Sequence, residues 1–384
     1  MVKSSRKTTI WKLVSAKYKL LILKNCYFML RQINLKNLTV FQDATFQFSE
    51  KLNLIVGENG TGKSHVLKTG YSIVNVCANS ATDRNGANGE APTKSFLQKA
   101  LAEKLIGVLR PDQLGRIARR KQGRERCEVK AKFSSGNELG FSFNSTSKKE
   151  VVVDSANKDW LEKLPVFIPT RELLTIAPGF VSLYETTHLP FEETYRDTCV
   201  LLSAPLARGP REEKIKALLV PIEAAMGGKV EVDEAGRFYL KQDSGKKIEM
   251  HLVAEGLRKL AMLARLIATG QLVDTGYLFW DEPEANLNPK VIKTLAKTIL
   301  DLGNSGIQVF VATHSLFLMR EIDILVSHDQ YKETKPRFFG LHPSEDGVGV
   351  LQGDSVDDIG EITSLQEDLH QSDRFLTTGE KTDA

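Results

Sequence analysis

The sequence predicts an α/β fold: a parallel sheet flanked by helices, an antiparallel β-subdomain near the start, and an inserted helical lobe. Three observations predict it. The runs "LNLIVG", "YLFWDEP" and "IQVFVATHS" are compact and apolar, as buried strands are, and each gives way to glycine or polar residues. "INLKNLTVFQDATFQF" alternates apolar with polar residues, the pattern of two half-buried antiparallel strands. In "HLVAEGLRKLAMLARL", Leu257, Leu260 and Ala264 recur at helical spacing, continued by Ile267, so one helix face is apolar.

Residues 1–28 carry seven Lys/Arg and no acid. They are expected to form a basic N-terminal extension, disordered or peripheral. A signal peptide is disfavoured, because Lys24 splits the apolar run and no small-residue cleavage site follows. Met29 opens the first clean strand pattern, and an upstream start codon would account for the extension. Strands around Ile33, Leu35 and Leu38, then Ala44, Phe46 and Phe48, lead into "LNLIVG", with a helix after Gly62. Residues 78–93 read as a mobile loop, and 95–122 as a helix ending in the basic patch "GRIARRKQGRER". Strand-like pieces follow ("CEVKAKF", "LGFSFNS", "EVVVDS", "PVFIPT"), then a mostly helical lobe over 181–226 and a hairpin over 229–253. A helix from 254, a strand, a helix over Pro289–Leu302 and a last buried strand complete the domain at 343. Residues 344–384 read as an acidic C-terminal extension.

The chain has 384 residues, 41% hydrophobic and 26% charged, an ordinary globular composition whose length fits one large domain with an inserted lobe, or two domains. A net charge of +4 permits nucleic-acid contact without arguing for it. No run of eighteen apolar residues occurs, so no membrane span or membrane partner is expected, and the cytoplasm is the expected location. Cys26, Cys77, Cys127 and Cys199 stand far apart, which suits reduced thiols better than disulfides or zinc. There is no long heptad stretch.

"GENGTGKS", Gly57 to Ser64, matches G-x-x-x-x-G-K-[ST] between a strand and a helix. Glycines let backbone N–H groups close around phosphates, Lys63 reaches the β- and γ-phosphates, and Ser64 offers a hydroxyl to Mg²⁺. Asn59, Gly60, Thr61, Gly62, Lys63, Ser64 and His65 are therefore the candidate nucleotide-binding residues. In "YLFWDEPEANLNP", Asp281 ends a buried strand where it can hold Mg²⁺, and Glu282 follows as the candidate general base. "VFVATHS" brings His314 to a third strand end, within reach of a γ-phosphate or the attacking water. Asp281 and Ser64 are thus the metal candidates, and Glu282 and His314 the catalytic ones. The turn Ala254-Glu255-Gly256 opens a helix whose unpaired N–H groups suit an anion.

These motifs, in this order, resemble the ABC-class ATPases, and within them the soluble SMC/RecF/OLD branch. "INLKNLTVFQDATFQF" is similar to that branch's first strands, and "DEPEANLNP" to its Walker B and D-loop. The resemblance runs from about Met29 to His342. It implies a P-loop NTPase fold with an ABC-type head, ATP and Mg²⁺ as cofactors, and Ala254, Glu255 and Gly256 as the signature that binds ATP held by a second subunit. It therefore implies a homodimer at least. Two departures imply slow turnover or a weaker ATP-driven clamp: Ala254 stands where the branch usually has Ser, and Thr39 where it often has Arg. The branch's Q-loop glutamine has no clear counterpart.

Arg171 and Glu172 follow a strand, where nucleotide-proximal loops lie, although a structural salt bridge accounts for them equally well. Their stretch resembles one in compact ATPases of bacterial anti-phage systems of the Septu, PARIS or retron type. The function expected from this is an ATP-hydrolysing regulatory subunit that controls a separately encoded effector, a nuclease or toxin. The absence of a tethering coiled coil, and of a Toprim-like acidic pattern after His314, favours that expectation. The alternative is a RecF-like DNA-repair clamp, with nucleic acid bound through Arg116 to Arg126. A transporter ATPase fits least, since its signature and D-loop types are missing.

Overall fold

The computed structural model describes residues 29–82, 93–119, 126–156, 161, 164–187, 189–207, 212–273 and 276–380. The expected basic extension at 1–28, most of the loop at 78–93 and residues 120–125 of the basic patch lie outside them.

Strand β1 (Leu30–Leu38) turns into β2 (Phe41–Gln47), and β3 (Leu52–Gly57) follows. Helix α1 (Lys63–Thr82) leaves the glycine-rich loop, and α2 (Lys94–Leu109) precedes β4 (Arg126–Phe133), β5 (Glu138–Asn144) and β6 (Val152–Ser155). After β7 (Val166–Ile168) comes the helical lobe: α3 (Ala177–Thr186), α4 (Glu193–Leu202) and α5 (Glu212–Met226). The meander β8 (Gly228–Val232), β9 (Phe238–Gln242) and β10 (Lys247–Glu249) leads to α6 (Glu255–Ala268). The chain then runs through β11 (Tyr277–Asp281), α7 (Pro289–Asn304), β12 (Gln308–Thr313), α8 (Leu316–Val326), β13 (Arg337–Ser344), β14 (Gly347–Gly353) and α9 (Thr363–Glu380).

Three sheets result. The central one has the order β14-β13-β3-β12-β11-β7, the antiparallel subdomain β2-β1-β4-β5-β6, and the small meander β10-β9-β8. Within the central sheet β7, β11, β12, β3 and β13 are parallel, so β3, β11 and β12 deliver their C-terminal ends to one edge. Their side chains alternate faces, as the two-residue strand period requires. Leu52, Leu54, Val56, Leu278, Trp280, Val309 and Val311 enter a core shared with the helical lobe. Ile55, Tyr277, Phe279, Phe310 and Ala312 enter a second core with α1, α2 and the antiparallel sheet. The α/β fold with its antiparallel subdomain and inserted lobe is the predicted one.

Four local expectations need correcting. Residues 78–82, expected within the loop 78–93, form the last turn of α1 instead. The helix expected over 95–122 stops at Leu109: Arg110 takes a left-handed conformation (φ 56°) and closes the end by donating its N–H to Ile106 O. Pro111 disfavours helix at the residue before it, and Leu114–Ile117 is only a 3₁₀ turn. The hairpin over 229–253 has a third strand, β10. The acidic extension was expected to begin at 344, yet β14 pairs with β13 from Ser344↔Gly347 to Phe338↔Gly353, so these residues complete the central sheet.

Candidate functional site

The glycine-rich loop needs its glycines sterically. Gly60 and Gly62 hold φ of +84° and +90°. A Cβ on Gly62 would lie 2.6 Å from Val40 Cγ2, and one on Gly57 would lie 2.7 Å from Thr61 Oγ1. The loop is closed on itself: Lys63 Nζ donates to Gly57 O (2.8 Å) and Glu58 O (2.9 Å), and Thr61 Oγ1 donates to Glu58 O (2.8 Å). Burial pulls the Lys63 ammonium below its usual pKa, against the opposing charges of Glu282, Asp281, Glu284 and Glu58. The phosphate-loop lysine and the acidic strand end therefore share one pocket.

Asp281 is buried, and burial raises its pKa, with the Ser64 hydroxyl hydrogen-bonding it and Lys68 and Lys63 opposing the rise. Its Oδ1 is buried with no hydrogen-bond partner. An orphaned carboxylate oxygen beside a serine hydroxyl is a hard-oxygen donor pair that fits Mg²⁺. That ion is commonly held by one or two protein ligands plus substrate phosphates. Among the described residues no group of three or more His, Cys, Asp or Glu could hold a metal by itself.

Glu282 adopts φ +47°, a left-handed conformation uncommon for a non-glycine residue, with its N–H donated to Ala312 O at 2.9 Å. Its Oε1 lies 3.2 Å from His314 Nδ1, and the His314 side chain is 46% exposed, open to a ligand. Behind them Glu284 is buried; its Oε1 accepts from Thr313 Oγ1 at 2.6 Å and its Oε2 has no partner. Thr313 Oγ1 in turn accepts from Ser315 N (3.0 Å), and Ser315 Oγ caps α8 through Leu318 N. The turn that presents His314 is thus fixed from both sides.

His65 Nδ1 meets Thr39 Oγ1 at 3.1 Å, and burial lowers the His65 pKa. Thr39 sits in the β1–β2 turn with φ +51°. That turn is held by Arg119, whose N–H donates to Asn37 O and whose Nη1 donates to Val40 O.

The structure brings Lys63 and Ser64 of the loop 59–65 together with Asp281, Glu282 and His314, while Ala254, Glu255 and Gly256 are not joined to that loop. Among the described residues no hydrogen bond or ion pair joins 254–256 to the phosphate loop. Ala254 and Glu255 are exposed, and Ala254 provides no side-chain cap to α6. The α6 start instead abuts the segment after Glu282: a Cβ on Gly256 would lie 2.5 Å from Asn286 O. Sequence reasoning missed three participants: Glu284, Lys259 and the true partner of Glu172. Glu172 pairs not with Arg171 but with Arg258 of α6, Oε1 to Nε at 2.8 Å, and also accepts from Thr175 Oγ1. The parallel register Trp280↔Ile168 sets the loop from Pro169 beside Asp281, so the segment after β7 flanks the site.

The comparisons with known proteins bear on the family and the fold. A family model described as "AAA domain, putative AbiEii toxin, Type IV TA system" matches residues 103–320, more than half of the chain. The chain belongs to this AAA-domain family. A second model, described as "AAA domain", matches residues 32–150. Among solved structures, an Smc head bound to the C-terminal winged-helix domain of ScpA is similar at TM-score 0.52 and 13% identity, over 86% of this chain and 98% of that one. An Smc head with an extended coiled coil, bound to the C-terminal domain of ScpA derived from Pyrococcus furiosus, is similar at TM-score 0.51 and 12% identity, over 86% and 97%. At such identities the likeness shows the fold, that of an SMC-type head. No curated protein matches the chain. Family and fold are those of nucleotide-binding ATPases. Among the described residues no helix is long and apolar enough to cross a membrane.

Proposed function

We propose that two copies of this AAA-domain chain close around ATP and hydrolyse it, and that the cycle regulates a separately encoded effector in cytoplasmic anti-phage defence. One observation carries the reading. Phosphate loop, Asp281, Glu282 and His314 converge at one sheet edge, while the exposed, anion-suited α6 N-terminus makes no hydrogen bond or ion pair with that loop among the described residues and packs against the segment after Glu282. A second copy would complete the site.

Lys63 would exchange its two carbonyl partners for phosphate oxygens, and residues 59–65 would cradle the phosphates with backbone N–H groups. Ser64 and Asp281 would hold Mg²⁺, which would supply charge neutralisation on the phosphates. Glu282 would take the proton of the attacking water, a step worth roughly 10²–10⁴-fold in rate. His314, 3.2 Å from Glu282, would hydrogen-bond the water or the γ-phosphate. Ala254 lacks the hydroxyl that a serine would offer, so turnover would be slow. The family description names a putative toxin of a type IV TA system, and this supports a defence role; the separate effector rests on the resemblance to compact anti-phage ATPases alone.

The test is native mass spectrometry of Glu282→Gln with Mg-ATP, expressed from its own operon. A dimer that forms with ATP and dissolves with ADP, carrying a second polypeptide, is the expected result. A monomer under every condition would overturn the reading, and a dimer needing added DNA would favour a repair clamp.

A further inference from the structure

Helix α6 carries a lysine that neither the phosphate loop nor the exposed helix start explains. Lys259 is 2% exposed, and its Nζ donates to Glu282 O at 3.3 Å. Glu284, Glu255, Glu282 and Asp281 surround its charge and oppose the effect of burial, which lowers its pKa. A buried ammonium is costly to keep, and such groups are paired or doing chemistry when they occur.

Its acceptor is unusual too. Glu282 holds φ +47° although it has a side chain, a conformation that persists only where surrounding contacts over-determine it. Three contacts do so here: Glu282 N–H to Ala312 O, Ala285 N–H to Glu282 O at 3.2 Å, and Lys259 Nζ to the same carbonyl. Lys259 is the only one of the three that comes from a helix, and therefore the one that can report the position of that helix.

We infer that Lys259 is a positioning residue for Glu282: from α6 it grips the Glu282 carbonyl and holds the carboxylate aimed at the nucleotide pocket. It lies about one helical turn past Ala254-Glu255-Gly256. The helix that would touch the partner's ATP thereby also holds the general base of its own chain. A shift of α6 on docking would reach Glu282 through Lys259. This link rests on the two-copy reading above; the hold on Glu282 itself does not.

The test is Lys259→Met, which keeps the aliphatic stem and removes the ammonium, alongside Lys259→Arg, which keeps charge and donors. ATP turnover, affinity for a fluorescent ATP analogue and Tm are measured for each. The expected result is a kcat at least tenfold lower in Lys259→Met, with nucleotide affinity within threefold of the parent and Tm nearly unchanged. In Lys259→Arg most of the kcat should return. Misplacement of a reacting group by about 1 Å carries losses of that order. A Met variant with kcat within threefold of the parent overturns the proposal. So does one in which kcat, affinity and Tm fall together, or one that does not fold, because each makes the lysine a structural tie. The two readings fail separately. If Glu282→Gln never dimerises, the two-copy reading falls while the Lys259 kcat split still stands or fails on its own.

Discussion

A single methyl group on the signature turn tests the contact between α6 and the loop after Glu282. In Gly256→Ala the new Cβ would lie 2.5 Å from Asn286 O and 3.0 Å from Leu287 Cδ2. The leucine tip can rotate away, but Asn286 O is backbone, on a residue already held at φ +66°. The gap must open by about 0.5 Å or more before the contact becomes tolerable, and that displacement falls on the segment that follows Glu282. Overpacking of this kind costs about 1–3 kcal/mol, while alanine in a helix recovers up to about 1 kcal/mol. Net destabilisation should therefore lie between about 0 and 3 kcal/mol. Activity should suffer far more, by tenfold or greater, because Glu282 and its neighbours are displaced. The assay pairs steady-state ATP turnover with thermal unfolding. A variant with a raised Tm and kcat within twofold of the parent would refute the argument. It would mean that the α6 start and the Asn286 loop are not mechanically joined.

Three further outcomes are expected. Ala254→Ser should cap α6, adding about 1 kcal/mol of stability, and should raise ATP affinity or turnover; unchanged kinetics would place the turn away from phosphate. Lys104 Nζ donates to Glu193 at 2.7 Å and Asp197 at 2.6 Å and is nearly buried, so Lys104→Met should cost about 3 kcal/mol and lower Tm by several degrees. Burial raises the Glu284 pKa above its ordinary 4.5, so the folded state keeps a proton that the unfolded state has released. Stability then falls as pH rises through that window, and Glu284→Gln should unfold at a higher temperature than the parent at pH 7.5 but not near pH 4.

The fold and the grouping of the candidate site were legible in the sequence for a physical reason. Each of the three central strands is largely apolar on both faces and is followed at once by its candidate residues, so motif and element boundary coincide at Gly57, Asp281 and Thr313. What escaped the sequence depends on pairings between distant segments. Nothing near Lys259 in the chain says that its stem passes through the core to the Glu282 carbonyl. Nothing near Glu172 says that Arg258 is its partner rather than the adjacent Arg171. The β14 strand was hidden because "GVGVLQG" is short and glycine-rich, and its pairing with β13 is visible only in register. Arg110 ended a helix early through a left-handed turn that helical periodicity does not encode.

The central sheet keeps its two cores apart. Leu54 and Val56 answer only to the lobe side, Ile55 only to the side of α1 and the antiparallel strands. A change in side-chain volume on one face therefore needs compensation on that face alone, and two populations of residues can drift independently. What both sides must preserve is the backbone at the strand ends, where glycines and left-handed turns shape the candidate site. Such a division lets most of the interior be rewritten while the architecture survives. It accounts for a shared outline with Smc heads at 12–13% identity. It also means that a lobe grafted from a relative should be accepted if the residues on its own side of the sheet travel with it.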